Sequence, residues 1–191
     1  MTSLEATGRV VHALETLNVD YLLVGSFSSN AYGIARATRD ADFVIAYRSG
    51  ILTELMEVLG SDFRLDPQMR FETITNSVRN VVTYLPTRFD IELFRLRDDP
   101  HHAERFERRC RRVIGELERE AWIPTAEDVI IQKLRWQRRR DVEDAKNVLA
   151  VQFDTLDWEY LRRWTTIHGT LDLLNQLRDE LPDLNVLDDE P

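Results

Sequence analysis

The chain has 191 residues, 43% hydrophobic and 31% charged, enough to bury a core in a single domain with a small appendage. A formal net charge of −9 excludes a protein coated for nonspecific nucleic-acid binding. No apolar run reaches the length of a membrane span, and the acid-containing, amphipathic start TSLEATGRVVHALETL is unlike a signal or transit peptide, so a cytoplasmic protein with no membrane partner is expected.

Val10, Val11, Leu14 and Leu17 fall at helical spacing and predict an amphipathic helix over residues 4–17, with His12 on its rim. The next stretch, YLLVGSFSSNAYGIARATRDADFVIAY from Tyr21 to Tyr47, organises the rest. A strand over Leu22 to Val24 breaks at Gly25 and Ser26, a short helix runs to Gly33, and a second strand enters at Ala41 to Ala46. The first N–H groups of a helix lack internal partners and favour an anion, and Gly25 lets a phosphate approach the main chain, so Gly25 and Ser26 form a candidate phosphate cradle. Asp40 and Asp42 open the second strand two residues apart, hence on one face, as paired oxygen ligands for a divalent cation. Arg36 and Arg39 lie in the intervening loop as candidate phosphate contacts.

Residues 50–59 repeat the helical pattern and stop at Gly60. Phe71 to Thr75 and Val78 to Tyr84 predict a hairpin turning at Asn76 and Ser77, which makes the sheet mixed. The strand FDIELF, Phe89 to Phe94, places Asp90 and Glu92 on one face; a third carboxylate is expected from this pair, Asp90 first and Glu92 next. Pro100 to Arg109 reads as a polar helix, and its adjacent His101 and His102 point in different directions and read as surface residues. Val113 to Leu117 predicts a last short strand. Cys110, the single cysteine, reads as an inert thiol.

From Thr125 onward the pattern is helical: TAEDVIIQKLRWQRRR, DVEDAKNVLAVQ, DWEYLRRWTTIH and TLDLLNQLRDEL. Two arginine clusters, at positions 105–112 and 135–140, offer contacts to a phosphodiester backbone, although Glu104, Glu107, Glu116 and Glu118 balance the first as a solvated face. Only two of the 25 basic residues are lysine, Lys133 and Lys146. A helix continuous through Lys133, Gln137, Arg140 and Asp144 would align these residues in one stripe.

The Gly-Ser turn, short helix, and GIARATRDADFVI with Arg36, Thr38, Asp40 and Asp42 resemble the signature of the polymerase-beta-type nucleotidyltransferase superfamily. Within it they are most similar to a small prokaryotic branch that includes abortive-infection-type toxin nucleotidyltransferases. The resemblance implies an α+β fold, with a mixed-sheet nucleotidyltransferase core over residues 1–120 flanked by helices. A C-terminal helical region over 121–182 would close the cleft, followed by an acidic tail over 183–191. It implies NMP transfer from an NTP to a hydroxyl with Mg²⁺ or Mn²⁺, onto a tRNA 3′ end, a protein or a small molecule, in a toxin with a cognate antitoxin. Asp40, Asp42 and Asp90 or Glu92 would hold metal, and Lys133 would place charge on the triphosphate. Lys133 and an Arg140-Asp141-x-x-Asp144 element match the branch, with either Asp141 or Asp144 acting and Asp144 taken here as catalytic with Lys133. Two other readings share the fold: a noncatalytic binding or regulatory protein, and transfer of the γ-phosphate.

Overall fold

The computed structural model describes residues 2–73, 77–117 and 119–181. The proposed turn residue Asn76 and the acidic tail 183–191 lie outside them. The first helix, α1 (Ser3–Thr16), starts at a capping box in which Thr2 and Glu5 satisfy each other's backbone N–H groups. Its buried stripe of Ala6, Val10, Val11 and Leu14 packs on the sheet. There follow β1 (Tyr21–Val24), α2 (Gly25–Tyr32), β2 (Asp40–Ile45), α3 (Ile51–Leu59), β3 (Phe63–Leu65), β4 (Arg70–Glu72), β5 (Ser77–Tyr84) and β6 (Phe89–Arg95).

The six strands form one mixed sheet in the order β1-β2-β6-β5-β3, with β4 also pairing β5. β2 and β6 run parallel and the other pairs antiparallel, β4 and β5 forming the expected hairpin. One face carries Leu23, Phe43, Ile45, Ile91 and Leu93 into the main core, which continues without interruption into the C-terminal helices. The opposite face carries Asp40, Asp42, Asp90 and Glu92, because alternation along β2 and β6 leaves no other side for them. The far end of this second face is apolar: Phe106 of α4 (Pro100–Glu107) closes over Leu22, Val24 and Val44.

Beyond α4 the structure departs from the sequence reading. A two-stranded antiparallel ribbon, β7 (Cys110–Ile114) with β8 (Arg119–Ile123), replaces the single strand expected over Val113 to Leu117, and Gly115–Leu117 form a 3-10 turn. β8 is short and carries charged Arg119 and Glu120, so alternation did not reveal it. Then come α5 (Ala126–Trp136), capped by Thr125 on the Asp128 N–H, α6 (Arg139–Gln152), α7 (Trp158–Ile167) and α8 (Leu171–Asp179). The predicted continuous helix through Arg140 is broken: Gln137 adopts a left-handed conformation (φ 53°) and its N–H caps the Lys133 carbonyl. The chain then folds back, so Lys133 and Asp144 share no stripe; they meet across the turn. No described helix is long and apolar enough to cross a membrane.

Candidate active site

The polar face of the sheet floors a cleft of about 1080 Å³, walled by the 36–39 loop, α4, the end of α5 and the start of α6. At its centre Val24, the last residue of β1, lies opposite Asp42, so the turn into α2 is delivered beside the carboxylates. Gly25 has φ +63°, and a Cβ built on it would lie 2.0 Å from Asp42 Oδ2. Glycine is therefore demanded twice, by the left-handed backbone and by the carboxylate pressed against it. No side chain caps the N-terminus of α2, which leaves its first N–H groups facing the cleft with Ser26.

Asp40 pairs in register with Asp90, and Asp42 with Glu92. Asp40, Asp42 and Glu92 line the cleft and Asp90 does not; Asp90 instead accepts a hydrogen bond from Thr83 at 2.7 Å. Of the two candidates for the third carboxylate, Asp90 and Glu92, it is Glu92 whose side chain lines the cleft, which spacing along one strand does not tell. Burial first, then the charges of Asp40 and Glu92, push the Asp42 carboxyl up to about 7, against the pull of Lys133 and Arg138. Among the described residues no three acidic, histidine or cysteine side chains already close round one point. The donor chemistry still fits a hard divalent cation: the carboxylates are all oxygen donors on one face, and crowded negative charge is what a cation relieves. Glu92 is turned toward Arg79, 3.0 Å away.

The 36–39 loop is tied to the helical region by a chain of charges built around buried Lys133, Asp141 and Asp144. Arg36 grips Asp144 with two bonds, Nε to Oδ1 at 2.8 Å and Nη2 to Oδ2 at 2.9 Å. Lys133 Nζ donates to Asp144 at 2.8 Å and to Asp141 at 2.9 Å, and Arg138 pairs with the other oxygen of Asp141. Burial alone would raise the Asp144 carboxyl, but the bonds from Arg36 and Lys133 outweigh it and hold the group below the usual carboxylate range. Lys133 is only 5% exposed. Both cations expected to hold phosphate, Arg36 and Lys133, are therefore already engaged, while Arg39 stands exposed on the cleft wall.

Beside the cleft, α4 departs from the sequence reading. His101 and His102 are buried rather than on the surface. His101 Nε2 lies 3.0 Å from Asp128 Oδ1, which also accepts from the Tyr160 hydroxyl at 2.7 Å. Arg105, read as part of a solvated face, is buried as well, since the polar helix α4 turns His101, His102, Arg105 and Phe106 inward. Eleven basic side chains line the cleft against five acidic ones, a local excess opposite in sign to the whole protein.

Among solved structures, the antibiotic-resistance factor ANT(2″)-Ia superposes on this chain with a TM-score of 0.57 at 9% identity, covering 92% of this chain and 96% of the other. The same factor in complex with adenylyl-2″-tobramycin gives 0.59 at 12% identity, covering 88% and 98%. An antigenic nucleotidyltransferase-like protein from Paracoccidioides brasiliensis gives 0.56 at 17% identity, covering 92% and 93%. At these identities the likeness establishes the α+β fold, a mixed sheet flanked by helices and followed by C-terminal helices. No curated protein matches the sequence. Residues 5–180 match the family described as "Nucleotidyltransferase of unknown function (DUF6036)", and the chain, matched over nearly its whole length, belongs to that family.

Proposed function

We propose that the protein transfers a nucleoside monophosphate from an NTP to a hydroxyl acceptor and releases pyrophosphate. The observation that carries this reading is the contact of Asp42 with Gly25: it sets a helix N-terminus that suits phosphates directly beside three carboxylates on adjacent strands. Gly25, Ser26 and the first N–H groups of α2 bind the outer phosphates. Asp40 and Asp42 hold the divalent cation, with Glu92 rather than Asp90 as the third carboxylate. Mg²⁺ or Mn²⁺ bound there supplies neutralising charge for the phosphates and the acceptor hydroxyl. The acceptor oxygen bonds to the α-phosphorus, the bond to the pyrophosphate oxygen breaks with its electron pair, and a cleft carboxylate takes the hydroxyl proton. Arg39 on the 36–39 loop holds charge in place, so catalysis is mostly positioning and electrostatics. Lys133, Asp141 and Asp144 act by holding Arg36 and its loop in register with the metal strand. The ANT(2″)-Ia structure in complex with adenylyl-2″-tobramycin shares this fold and supports transfer of a nucleotidyl group as the reading for this chain. The toxin branch, its tRNA acceptor and a cognate antitoxin rest on the 36–42 motif and on Lys133 with the Arg140-Asp141-x-x-Asp144 element.

The test is transfer of label from α-³²P NTP, run with each of the four nucleotides and Mg²⁺ against total RNA, protein extract and an aminoglycoside. Label from the α position is expected in an acceptor and none from the γ position, with transfer abolished in Asp42→Asn. Transfer of γ-label, or undiminished transfer by folded Asp42→Asn, refutes the reading.

A further inference from the structure

The sheet that carries the carboxylates also carries a cation against them. On β5, Arg79, Val81 and Thr83 alternate with Val82 and Tyr84 of the core, and so share the cleft face with Asp42 and Glu92. Val81 lies directly opposite Glu92 and Arg79 opposite Phe94, so Arg79 reaches Glu92 on the diagonal. Its Nε stands 3.0 Å from Glu92 Oε2, with both side chains 17% exposed and both lining the cleft. The guanidinium also lies over the Phe94 ring, 5.9 Å from its centroid. On the other side of β6 the register partner of Glu92 is Asp42, whose carboxyl is raised by burial and then by the charges of Asp40 and Glu92. The two cations that pull on Asp42 are committed elsewhere, Lys133 to Asp141 and Asp144, and Arg138 to Asp141. Glu92 therefore stands between two claims, a cation gathered by Asp40 and Asp42 on β2 and the guanidinium of Arg79 on β5.

Arg79 neutralises Glu92 and so relieves the repulsion between neighbouring carboxylates. A divalent cation that takes Glu92 as an oxygen ligand has to break this pair and then face a guanidinium at close range. Joining the strands does not require the arrangement, since an uncharged pair at 79 and 92 would hold β5 to β6 without setting a cation beside a metal site. We infer that Arg79 is a positioning residue: it holds Glu92 toward β5 until a divalent cation arrives and competes with that cation for it, so that a bare cation binds weakly and the species the cleft admits is the cation with its NTP. The negative charge of the triphosphate offsets Arg79 once the pair opens, which a bare cation cannot do. This rests on the transfer reading above, in which Glu92 is the third carboxylate, and gives that reaction its order of loading.

The experiment titrates the full chain with Mn²⁺ alone, following the free Mn²⁺ signal by electron paramagnetic resonance. Parent, Arg79→Gln, Glu92→Gln and the double variant are compared, and melting temperatures establish that each is folded. Arg79→Met, which keeps an apolar stem beside Phe94, takes the place of Arg79→Gln where the latter does not fold. Arg79→Gln is expected to bind Mn²⁺ about fivefold tighter than the parent, the release of a partly exposed ion pair, and to gain less than about twofold when introduced into Glu92→Gln. With Mn²⁺ and a non-hydrolysable NTP as the titrant in calorimetry, the same variant is expected to bind no tighter than the parent. A purely structural role would leave binding of bare Mn²⁺ unchanged or weaken it, and either result in a folded variant overturns the inference. So does an equal gain in the Glu92→Gln background, which marks a general effect of charge, or a comparable gain with the Mn²⁺–NTP titrant, or a parent and variants that all fail to bind Mn²⁺. Absence of α-label transfer by a parent whose Mn²⁺ affinity still depends on Arg79 through Glu92 would instead remove the transfer reading and leave the positioning role standing.

Discussion

Replacing Lys133 with Met separates a structural tie from a direct hand on the nucleotide. The ammonium sits between two buried carboxylates, 2.9 Å from Asp141 and 2.8 Å from Asp144, and solvent reaches little of any of the three. Met fills similar volume but leaves both acids short of a cation. Breaking a buried pair from one side costs about 3–5 kcal/mol, and this environment is too enclosed for solvent to screen much of that away. For a chain of this size each kcal/mol moves the melting temperature by roughly 2–4 °C, so the variant should melt about 6–20 °C below the parent. Arg36 remains to neutralise Asp144 in part, which favours the lower half of the range. Calorimetry without nucleotide is the assay, because the tie exists before any ligand arrives. The double variant Lys133→Met with Asp144→Asn removes one stranded charge and should recover part of the loss. A Lys133→Met protein that melts within about 2 °C of the parent while losing transfer would refute the tie and return Lys133 to the triphosphate.

Gly25→Ala should abolish transfer, since the new Cβ collides with Asp42 and the backbone is left-handed, a strain of about 1–2 kcal/mol by itself; a folded variant with normal Mg²⁺–NTP binding would contradict this. In a transfer assay Glu92→Gln is expected to lose at least about tenfold more rate than Asp90→Asn, and the opposite order would restore Asp90 as the third carboxylate. Asp144 has a depressed pKa, so the folded state binds its proton more weakly than the unfolded chain does. Its stabilisation is therefore complete above the ordinary carboxylate value of 3.8 and is lost as pH falls below that. Asp144→Asn should flatten the acid limb of the stability profile, and an unchanged limb in denaturant titrations at successive pH values would count against the linkage.

The grouping of Gly25, Ser26, Asp40 and Asp42 in the candidate site was legible because it is local. Gly25, Ser26, Asp40 and Asp42 lie within one strand-helix-strand passage, where spacing alone decides which side chains share a face. What could not be read was set by pairing between distant segments. Which of Asp90 and Glu92 lines the cleft depends on what the neighbouring strands place around them, such as Thr83 of β5 beside Asp90, and β6 alone does not record it. The burial of His101 and Arg105 was hidden for another reason: α4 has a polar inner face, so the periodicity that betrays a core-facing helix is absent. The missed break at Gln137 follows from a left-handed residue with no glycine to advertise it, and only the ion cluster it assembles shows why the chain turns there.

The bond from Arg36 to Asp144 joins residues 108 positions apart, across nearly the whole of the folded core. Contacts of such separation close a long loop and contribute late, after local helices and the β5–β6 hairpin have formed. Substitutions in this cluster should then leave the refolding rate almost untouched and accelerate unfolding instead. The clamp over the cleft thus acts chiefly on how long each molecule stays native once folded, and the lifetime of the native state becomes the quantity on which Arg36, Lys133 and Asp144 are jointly felt.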